Sequence, residues 1–172
     1  EIGAVGKGNL FRFGGHGVRV VRDMHIDIQY NTFSDMSSSG IRLGIGTQPY
    51  NFSNLTIQNN YFGASDSDPY FNLETGNITN THAIWLNGSS PVIRGNHISG
   101  VDRSGIFLQM QDEDSRLSAS SDAFSLPIIG GQDPLVGSLC ESSEKNCIED
   151  TSWAGIYSIN TISANEDTLH AD

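Results

Sequence analysis

Apolar and polar residues follow short repeated motifs along most of this chain, with no helical period. One motif is Gly or Ala, a branched apolar residue, any residue, then an apolar residue; this GIxL motif occurs at residues 17–20, 40–43, 83–86, 105–108 and, more weakly, 155–158. A second motif, Asn-x-Phe or Asn-x-Ile, begins at Asn9, Asn31, Asn60, Asn96, Asn146 and Asn160. Because no stretch of eight residues repeats its apolar positions every 3.6 residues, we predict almost no helix.

The spacing of the motifs predicts three short strands in each turn of the chain. The uninterrupted period is 22 to 23 residues, as from Gly17 to Gly40 and from Ala83 to Gly105. A third apolar position precedes the motif Asn by three residues in the middle repeats, at Ile28, Ile57 and Ile93. Such repeats bury their apolar side chains only by stacking on one another. We therefore predict an all-β right-handed parallel β-helix (solenoid) of about five to six coils, the sixth beginning at Asn160.

Stacking in register should align equivalent residues one coil apart. Two inward ladders are expected, one at positions 11, 33, 62, 98 and 148 and the other at positions 18, 41, 84, 106 and 156. Asn31, Asn60 and Asn96 should lie at the bend between the first two strands. There an Asn can adopt unusual backbone angles and hydrogen-bond the same residue in the neighbouring coil.

These repeats resemble the pectate-lyase-like superfamily of right-handed parallel β-helices, including its internal asparagine ladder. The resemblance covers nearly all of the chain outside two insertions, and it implies a carbohydrate-active or cell-surface protein without specifying the activity. A leucine-rich repeat would need LxxLxL segments and helical returns, which are absent here. An antiparallel β-sandwich is the alternative fold.

We expect one domain, residues 1–172, interrupted by insertions at 63–82 and 109–145. The insertions should project from opposite edges of one face and wall a cleft over Trp85 and Phe107; otherwise they are tolerated surface excursions. The repeat is already running at Glu1, so we interpret the chain as a piece of a longer one. The terminal coils would then be covered by missing sequence or by another chain.

Strand alternation predicts that the x residues of the GIxL motifs point outward along one face. Guanidinium groups bind carboxylates, and aromatic rings pack on the apolar faces of sugars. This stripe therefore predicts a binding face for an extended acidic polysaccharide. The alternative is that the insertions fold over Trp85 and Phe107 and bury them as a satellite core. The five predicted substrate-binding residues are Arg19, Arg42, Trp85, Phe107 and Tyr157.

If the chain is an enzyme, lyase or epimerase chemistry on a uronate is one hypothesis. Arg19 or Arg42 would neutralise the substrate carboxylate, and His82, Tyr157 or His16 would handle the proton. His16 and His82 occupy equivalent positions of the repeat, two coils apart, and would therefore act separately.

A glycoside hydrolase fragment is a further hypothesis. The segments Gly15-His16-Gly17 and Gly40-Ile41-Arg42-Leu43 resemble motifs of polygalacturonase-type hydrolases. However, Gly44 stands where that family's Lys would be, and the acidic motifs that carry its acid and base are absent here.

The first insertion also holds Asp66, Asp68 and Glu74, whose oxygens suit Ca²⁺. They are a possible metal site, the alternative being an acidic surface.

Charge and cysteine usage narrow the class of protein. The formal net charge of −11 disfavours binding to nucleic-acid phosphates, and no apolar run is long enough to span a bilayer.

Cys140 and Cys147 enclose six residues, and we predict a disulfide, with two free thiols as the alternative. We expect an extracellular or cell-surface location. A non-catalytic adhesin or tailspike-like module is the main alternative to an enzyme.

Overall fold

Three parallel sheets wrap around one apolar interior. The structure, a computed structural model, describes residues 1–21, 24–44, 55–63, 82–87, 89, 91–110, 128–129, 146–149 and 151–160. Fourteen strands and no helix lie in this part of the chain. In order they are β1 (Leu10–Arg12), β2 (His16–Val20), β3 (Ile26–Gln29), β4 (Thr32–Ser34), β5 (Ser39–Leu43), β6 (Leu55–Gln58), β7 (Tyr61–Phe62), β8 (His82–Asn87), β9 (Val92–Arg94), β10 (His97–Ser99), β11 (Ser104–Met110), β12 (Ile128–Ile129), β13 (Cys147–Glu149) and β14 (Ala154–Asn160).

Each sheet takes one strand from each coil. The Asn-x-Phe/Ile sheet has the order β1-β4-β7-β10-β13, and the GIxL sheet has the order β2-β5-β8-β11-β14. The third sheet is β3-β6-β9-β12, and an isolated bridge from Ile2 to Ile28 extends it toward the first coil. All pairings are parallel, so the described residues form five coils and the predicted β-solenoid is confirmed.

The predicted inward ladders fill the interior. Phe11, Phe33 and Phe62 stack with ring centroids 4.9 Å apart at each step, and Ile98 and Ile148 continue the row in register. The second ladder is also aligned, with Ile41, Ile84 and Ile106 completely buried. Ile156 continues it in register but is 49% exposed, contrary to the prediction, because β14 is the last described strand of its sheet. Burial of such large side chains is the main favourable term for a fold built from very short strands.

A row of asparagine amides lies inside the bend that precedes the Asn-x-Phe/Ile sheet. The Asn31 backbone N–H and side-chain amide both donate to Asn60 Oδ1, at 3.0 and 3.1 Å. Asn60 repeats both bonds to Asn96, and Asn96 repeats them to Asn146. Asn9 donates in the same way to Asn31. The predicted ladder therefore has five members, two more than expected.

Each ladder amide from Asn31 onward also donates to a backbone carbonyl of the preceding coil. Asn60 Nδ2 donates to the Ile28 carbonyl at 2.8 Å, and Asn96 Nδ2 donates to the Ile57 carbonyl at 2.9 Å. Asn60 and Asn96 are almost completely buried. Burial of polar groups is tolerated only when their hydrogen bonds are made, and these amides meet that requirement through the coils on both sides.

The left-handed backbone angles fall one residue before the ladder Asn, so the expectation for the Asn itself was wrong. Tyr30, Asn59 and Gly95 have φ of 56°, 53° and 61°. The physical reason is that the ladder Asn directly precedes the next strand, and its backbone N–H donates to the side chain of the ladder Asn in the neighbouring coil. The chain therefore bends at the preceding residue.

The prediction that Asn160 begins a sixth coil was also wrong. Asn160 is the last residue of β14 and pairs with Met110 in the GIxL sheet. A strand of the third sheet must separate a GIxL strand from the next motif Asn. Only four residues lie between Gly155 and Asn160, which leaves no room for that strand.

The described strands also mark the limits of the two insertions. His82 is the first residue of β8, and β11 continues through Gln109 to Met110. Ile128 and Ile129, inside the second predicted insertion, form β12 and pair with Val92 and Ile93. The coil thus resumes in the third sheet part-way through that segment.

At Gly17 and Gly40, the GIxL motif requires glycine because of the adjacent aromatic ladder. A Cβ at Gly17 would lie 2.4 Å from the Phe33 ring, and one at Gly40 would lie 2.6 Å from the Phe62 ring. Both distances are far below van der Waals contact, so neither site has room for a methyl group.

We predict that Asn60→Ala lowers the free energy of unfolding by about 2–4 kcal/mol, because it leaves buried partners in both neighbouring coils unsatisfied. Urea unfolding of the purified chain measures the change. Asn59→Gly is the matched control, since it changes the adjacent Asn, relieves a positive φ and touches no ladder bond. Equal stability of Asn60→Ala and the wild type would contradict the ladder's role.

Gly40→Ala should also destabilise the protein, by about 1–3 kcal/mol, because the added methyl group overpacks the Phe62 ring. The control is Gly15→Ala, where a Cβ meets no atom within 4 Å. Thermal unfolding of both variants separates overpacking from the general effect of replacing glycine, and similar melting temperatures would disprove the packing explanation.

Candidate functional site

The GIxL sheet presents the predicted outward row of side chains. Arg19 pairs with Arg42, Arg42 with Trp85, Trp85 with Phe107 and Phe107 with Tyr157, each one coil further along. We call the outer surface of this sheet the GIxL face. Arg19 and Tyr157 are exposed, Arg42 and Trp85 are half-buried, and Phe107 is only 8% exposed.

This face carries the opposite charge to the chain as a whole. The five strands of the GIxL sheet contain two arginines and no Asp or Glu, although the formal net charge of the chain is −11. Directly before β11, Arg103 and Asp102 add one charge of each sign beside the sheet. The described strands of this sheet therefore form a locally cationic surface that suits an anionic ligand.

Arg42 lies at the centre of the cationic part of the face. Its guanidinium carbon is 4.0 Å from the centroid of the Trp85 ring, close enough for a cation–π contact. Its Nη1 lies 3.5 Å from His16 Nε2, and its buried Nε has no hydrogen-bond partner among the described residues. Trp85 and His16 thus hold the guanidinium in place on one side, and its remaining N–H groups can donate to a ligand.

His16 is oriented by the neighbouring coil. Its Nδ1 lies 2.7 Å from Ser39 Oγ, and Ser39 occupies the equivalent position in β5. Burial, followed by the charges of Arg42 and Arg19, lowers the pKa of His16 from its ordinary value of 6.5. The ring is therefore neutral at pH 7. Because Arg42 can only donate, His16 Nε2 accepts and His16 Nδ1–H donates to Ser39.

Burial and the charge of Arg19 also lower the pKa of Arg42 from its ordinary value. An arginine remains protonated at neutral pH despite such a shift. Two guanidinium groups one coil apart repel each other, and a bound anion would relieve that repulsion.

Phe107 is enclosed by other rings of the site. The His82 ring stacks on it at 4.5 Å, the Tyr157 ring lies nearly parallel at 5.9 Å, and Trp85 meets it edge-on at 5.4 Å. Trp85 is fixed further by a hydrogen bond from its Nε1 to Gln109 Oε1 at 3.1 Å. Phe107 therefore supports Trp85 and Tyr157 and has little surface of its own to offer a ligand.

His82 is buried beneath this aromatic cluster. Its side chain is 3% exposed, and its Nδ1 has no hydrogen-bond partner among the described residues. Burial and, second, the charge of Arg103 lower the pKa of His82 to about 4, against smaller opposing effects from the Ser104 backbone and Asp102. A buried, neutral ring of this kind is suited to packing, and its burial does not favour proton transfer with a ligand.

The predicted catalytic residues are only partly brought together. Arg42 and His16 are in contact, His82 lies one coil from Arg42 beneath Phe107, and Tyr157 lies two coils from Trp85. No catalytic role is tested by these positions, and the assignments stay predictions.

The predicted calcium site and disulfide involve parts of the chain that are not described. Asp66, Asp68 and Glu74 lie outside the described residues, so the calcium site stays a prediction. Among the residues that are described, no group of three or more His, Cys, Asp or Glu could hold a metal ion. Cys147 is buried in β13, but Cys140 lies outside the described residues, so their pairing is also still a prediction.

Sequence reasoning missed several residues that complete the site. Ser39 and Gln109 orient His16 and Trp85, and both occupy register positions that the repeat itself could have identified. Arg103 and Trp153 precede their strands and contact each other, with the guanidinium carbon 4.7 Å from the ring centroid. No motif marks those two, because they lie in turns that the repeat does not constrain.

The three parallel sheets and the internal ladders define the class of protein as a parallel β-helix. The family model described as "Right handed beta helix region" matches residues 4–166, and the chain belongs to this family. The coil is therefore right-handed, as predicted. No match was found among curated proteins or among solved structures. Within the described part of the chain, no helix is long and apolar enough to cross a membrane.

His82 should make stability depend on pH. The unfolded chain protonates this histidine near pH 6.5, whereas the folded protein holds it neutral down to about pH 4. The unfolded state therefore binds more protons between these values, and stability falls as the pH drops through them.

Replacing His82 by Phe keeps a ring against Phe107 and removes the titrating group. We expect the wild type to lose on the order of 2 kcal/mol more than His82→Phe between about pH 7 and pH 4. Urea unfolding at both pH values measures the difference, and contributions from other groups remain in both proteins. Parallel pH profiles would show that His82 does not have the lowered pKa.

Proposed function

We propose that this protein binds an extended acidic polysaccharide on its GIxL face, outside the cell. The observation that carries the proposal is the Arg42–Trp85 stack in a sheet whose described strands contain no carboxylate. A cation held against an aromatic ring offers both kinds of contact that an acidic sugar needs. The carboxylate takes the guanidinium donors, and the sugar ring packs on aromatic surface.

The arrangement along the coils supports a ligand longer than one sugar. Arginines occupy the first two positions of the row, and Trp85 and Tyr157 expose ring surface at the third and fifth. Neighbouring strands in a sheet are about 4.8 Å apart, so the row extends over roughly 20 Å. A single sugar cannot contact both Arg19 and Tyr157, whereas an oligosaccharide can.

Modification of the bound uronate is a second candidate function, favoured by the contact between His16 and Arg42. A substrate carboxylate would compete for the Arg42 donors and release the lone pair of His16 Nε2. A neutral histidine in that position could remove the proton next to the carboxyl group, which is the first step of lyase or epimerase chemistry. Binding without turnover would instead favour a non-catalytic surface module.

We predict that Arg42→Ala weakens binding of an acidic oligosaccharide by about 10- to 100-fold, because it removes charge-assisted hydrogen bonds. Titration of intrinsic tryptophan fluorescence measures the affinity directly, since both tryptophans of the chain, Trp85 and Trp153, lie beside the face. Oligouronates and oligosaccharides with sulfate groups are the probes, and a neutral oligosaccharide of equal length is the comparison.

Arg94→Ala is the matched control, because it removes the same charge from the third sheet, where Arg94 donates to Gln58. It should leave the affinity close to that of the wild type. Binding by the wild type should also weaken as salt is raised. Equal losses in both variants, or equal affinity for neutral and acidic probes, would contradict the proposed function.

Ultraviolet absorbance of an unsaturated product tests the lyase reaction in the same samples, and exchange of the sugar's carbon-bound hydrogen with solvent deuterium tests the epimerase.

A further inference from the structure

The turns between the Asn-x-Phe/Ile sheet and the GIxL sheet border one side of the proposed binding face. We call the described turns at residues 13–15, 35–38, 100–103 and 151–153 the rim. An exposed aromatic ring lies at each end of it: Phe13 in the first coil is 78% exposed, and Trp153 in the fifth coil is 58% exposed. Neither ring contributes to the apolar interior.

Phe13 adopts a backbone conformation that a phenylalanine rarely takes. Its φ is 56°, in the left-handed region where a side chain with a Cβ is strained. The equivalent positions one coil and three coils further along the rim carry residues better suited to this region, Asp35 with φ 53° and Gly100 with φ 63°. An exposed ring adds almost no burial to offset the strain, so folding alone does not explain a Phe at this position.

The Phe13 ring is nevertheless held in a defined place. The Arg12 guanidinium carbon lies 5.0 Å from the ring centroid, and Arg12 Nε donates to Asp35 Oδ2 at 2.9 Å. The turn itself is fixed by the next coil, because the Gly14 and Gly15 carbonyls accept hydrogen bonds from Ser37 and Ser38. One face of the ring is covered by the guanidinium, and the exposed remainder is available to a ligand.

Trp153 repeats the arrangement at the other end of the rim. The Arg103 guanidinium carbon lies 4.7 Å from its ring centroid, and the ring meets Tyr157 edge-on at 6.1 Å. Because Trp153 contacts Tyr157, the rim and the last position of the GIxL face form one continuous surface. Two independent turns thus display a solvent-exposed aromatic ring backed by a guanidinium, on the same side of one cationic sheet.

We propose that Phe13 and Trp153 are further sugar-contacting residues, which extend the binding surface from the GIxL face onto the rim. This inference rests on the proposed function. Exposed rings of this kind pack on the apolar faces of sugars, and each guanidinium keeps its ring at a fixed angle. The ligand recognised by the rim is the same acidic polysaccharide, held at both ends of the site.

The test measures stability and binding together, because the two should change in opposite directions for Phe13→Asn. Asn tolerates the left-handed region, so this variant should raise the melting temperature by about 2–4 °C. The same variant should weaken binding of the acidic oligosaccharide by about threefold to tenfold. Trp153→Ala should weaken binding by a similar factor with little change in melting temperature, measured by calorimetric titration because a tryptophan is lost.

Two controls separate the rim from general effects. Tyr30→Asn also changes a strained residue, with φ 56°, but at the bend before the Asn-x-Phe/Ile sheet. Val5→Ser removes an exposed apolar side chain from a turn outside the rim. Both should bind the oligosaccharide as tightly as the wild type.

The outcomes distinguish this inference from the proposed function. If the wild type binds and Arg42→Ala does not, but Phe13→Asn and Trp153→Ala bind like the wild type, the rim inference fails and the proposed function stands. A lower melting temperature for Phe13→Asn would show that the ring is a packing residue and would overturn its assignment. If the wild type binds no acidic oligosaccharide, the proposed function fails, and the rim inference fails with it.

Discussion

A row of buried asparagine amides keeps the coils in register, and the rest of the structure depends on it. Each Oδ1 from Asn31 to Asn146 accepts two hydrogen bonds from the preceding ladder residue, and each Nδ2 from Asn31 onward donates to a backbone carbonyl of the preceding coil. A one-residue slip between coils would leave these buried groups unsatisfied and turn the inward side chains outward. The alignment of Arg42 with Trp85 on the outer face is a consequence of the same register.

Much of the fold could be predicted because its constraints act at fixed spacing. Inward rows, ladder asparagines and the outward row all follow from a period of 22 to 23 residues. The failures occur where spacing and motif disagree. Asn160 has the motif without the spacing, and β12 has only two residues, Ile128 and Ile129, within a long polar segment. A strand that short carries no periodicity of its own, so only its partner β9 identifies it.

The site could be predicted less completely than the fold. Alternation identified all five members of the outward row but could not show that Phe107 is covered by His82 and Tyr157. It also could not show that His16 reaches Arg42, because these two residues are not register partners: His16 pairs with Ser39. Phe13 and Trp153 lie in turns, where neither period nor motif applies, and only their exposure and backbone geometry single them out.

A crystal structure of this chain with a bound oligouronate tests most directly whether the GIxL face binds an acidic polysaccharide, as we propose. We expect a sugar carboxylate within hydrogen-bonding distance of the Arg42 guanidinium and a sugar ring against Trp85 or Tyr157. An oligosaccharide bound on the outer surface of the third sheet, or no binding at concentrations that saturate other acidic-glycan proteins, would contradict the account.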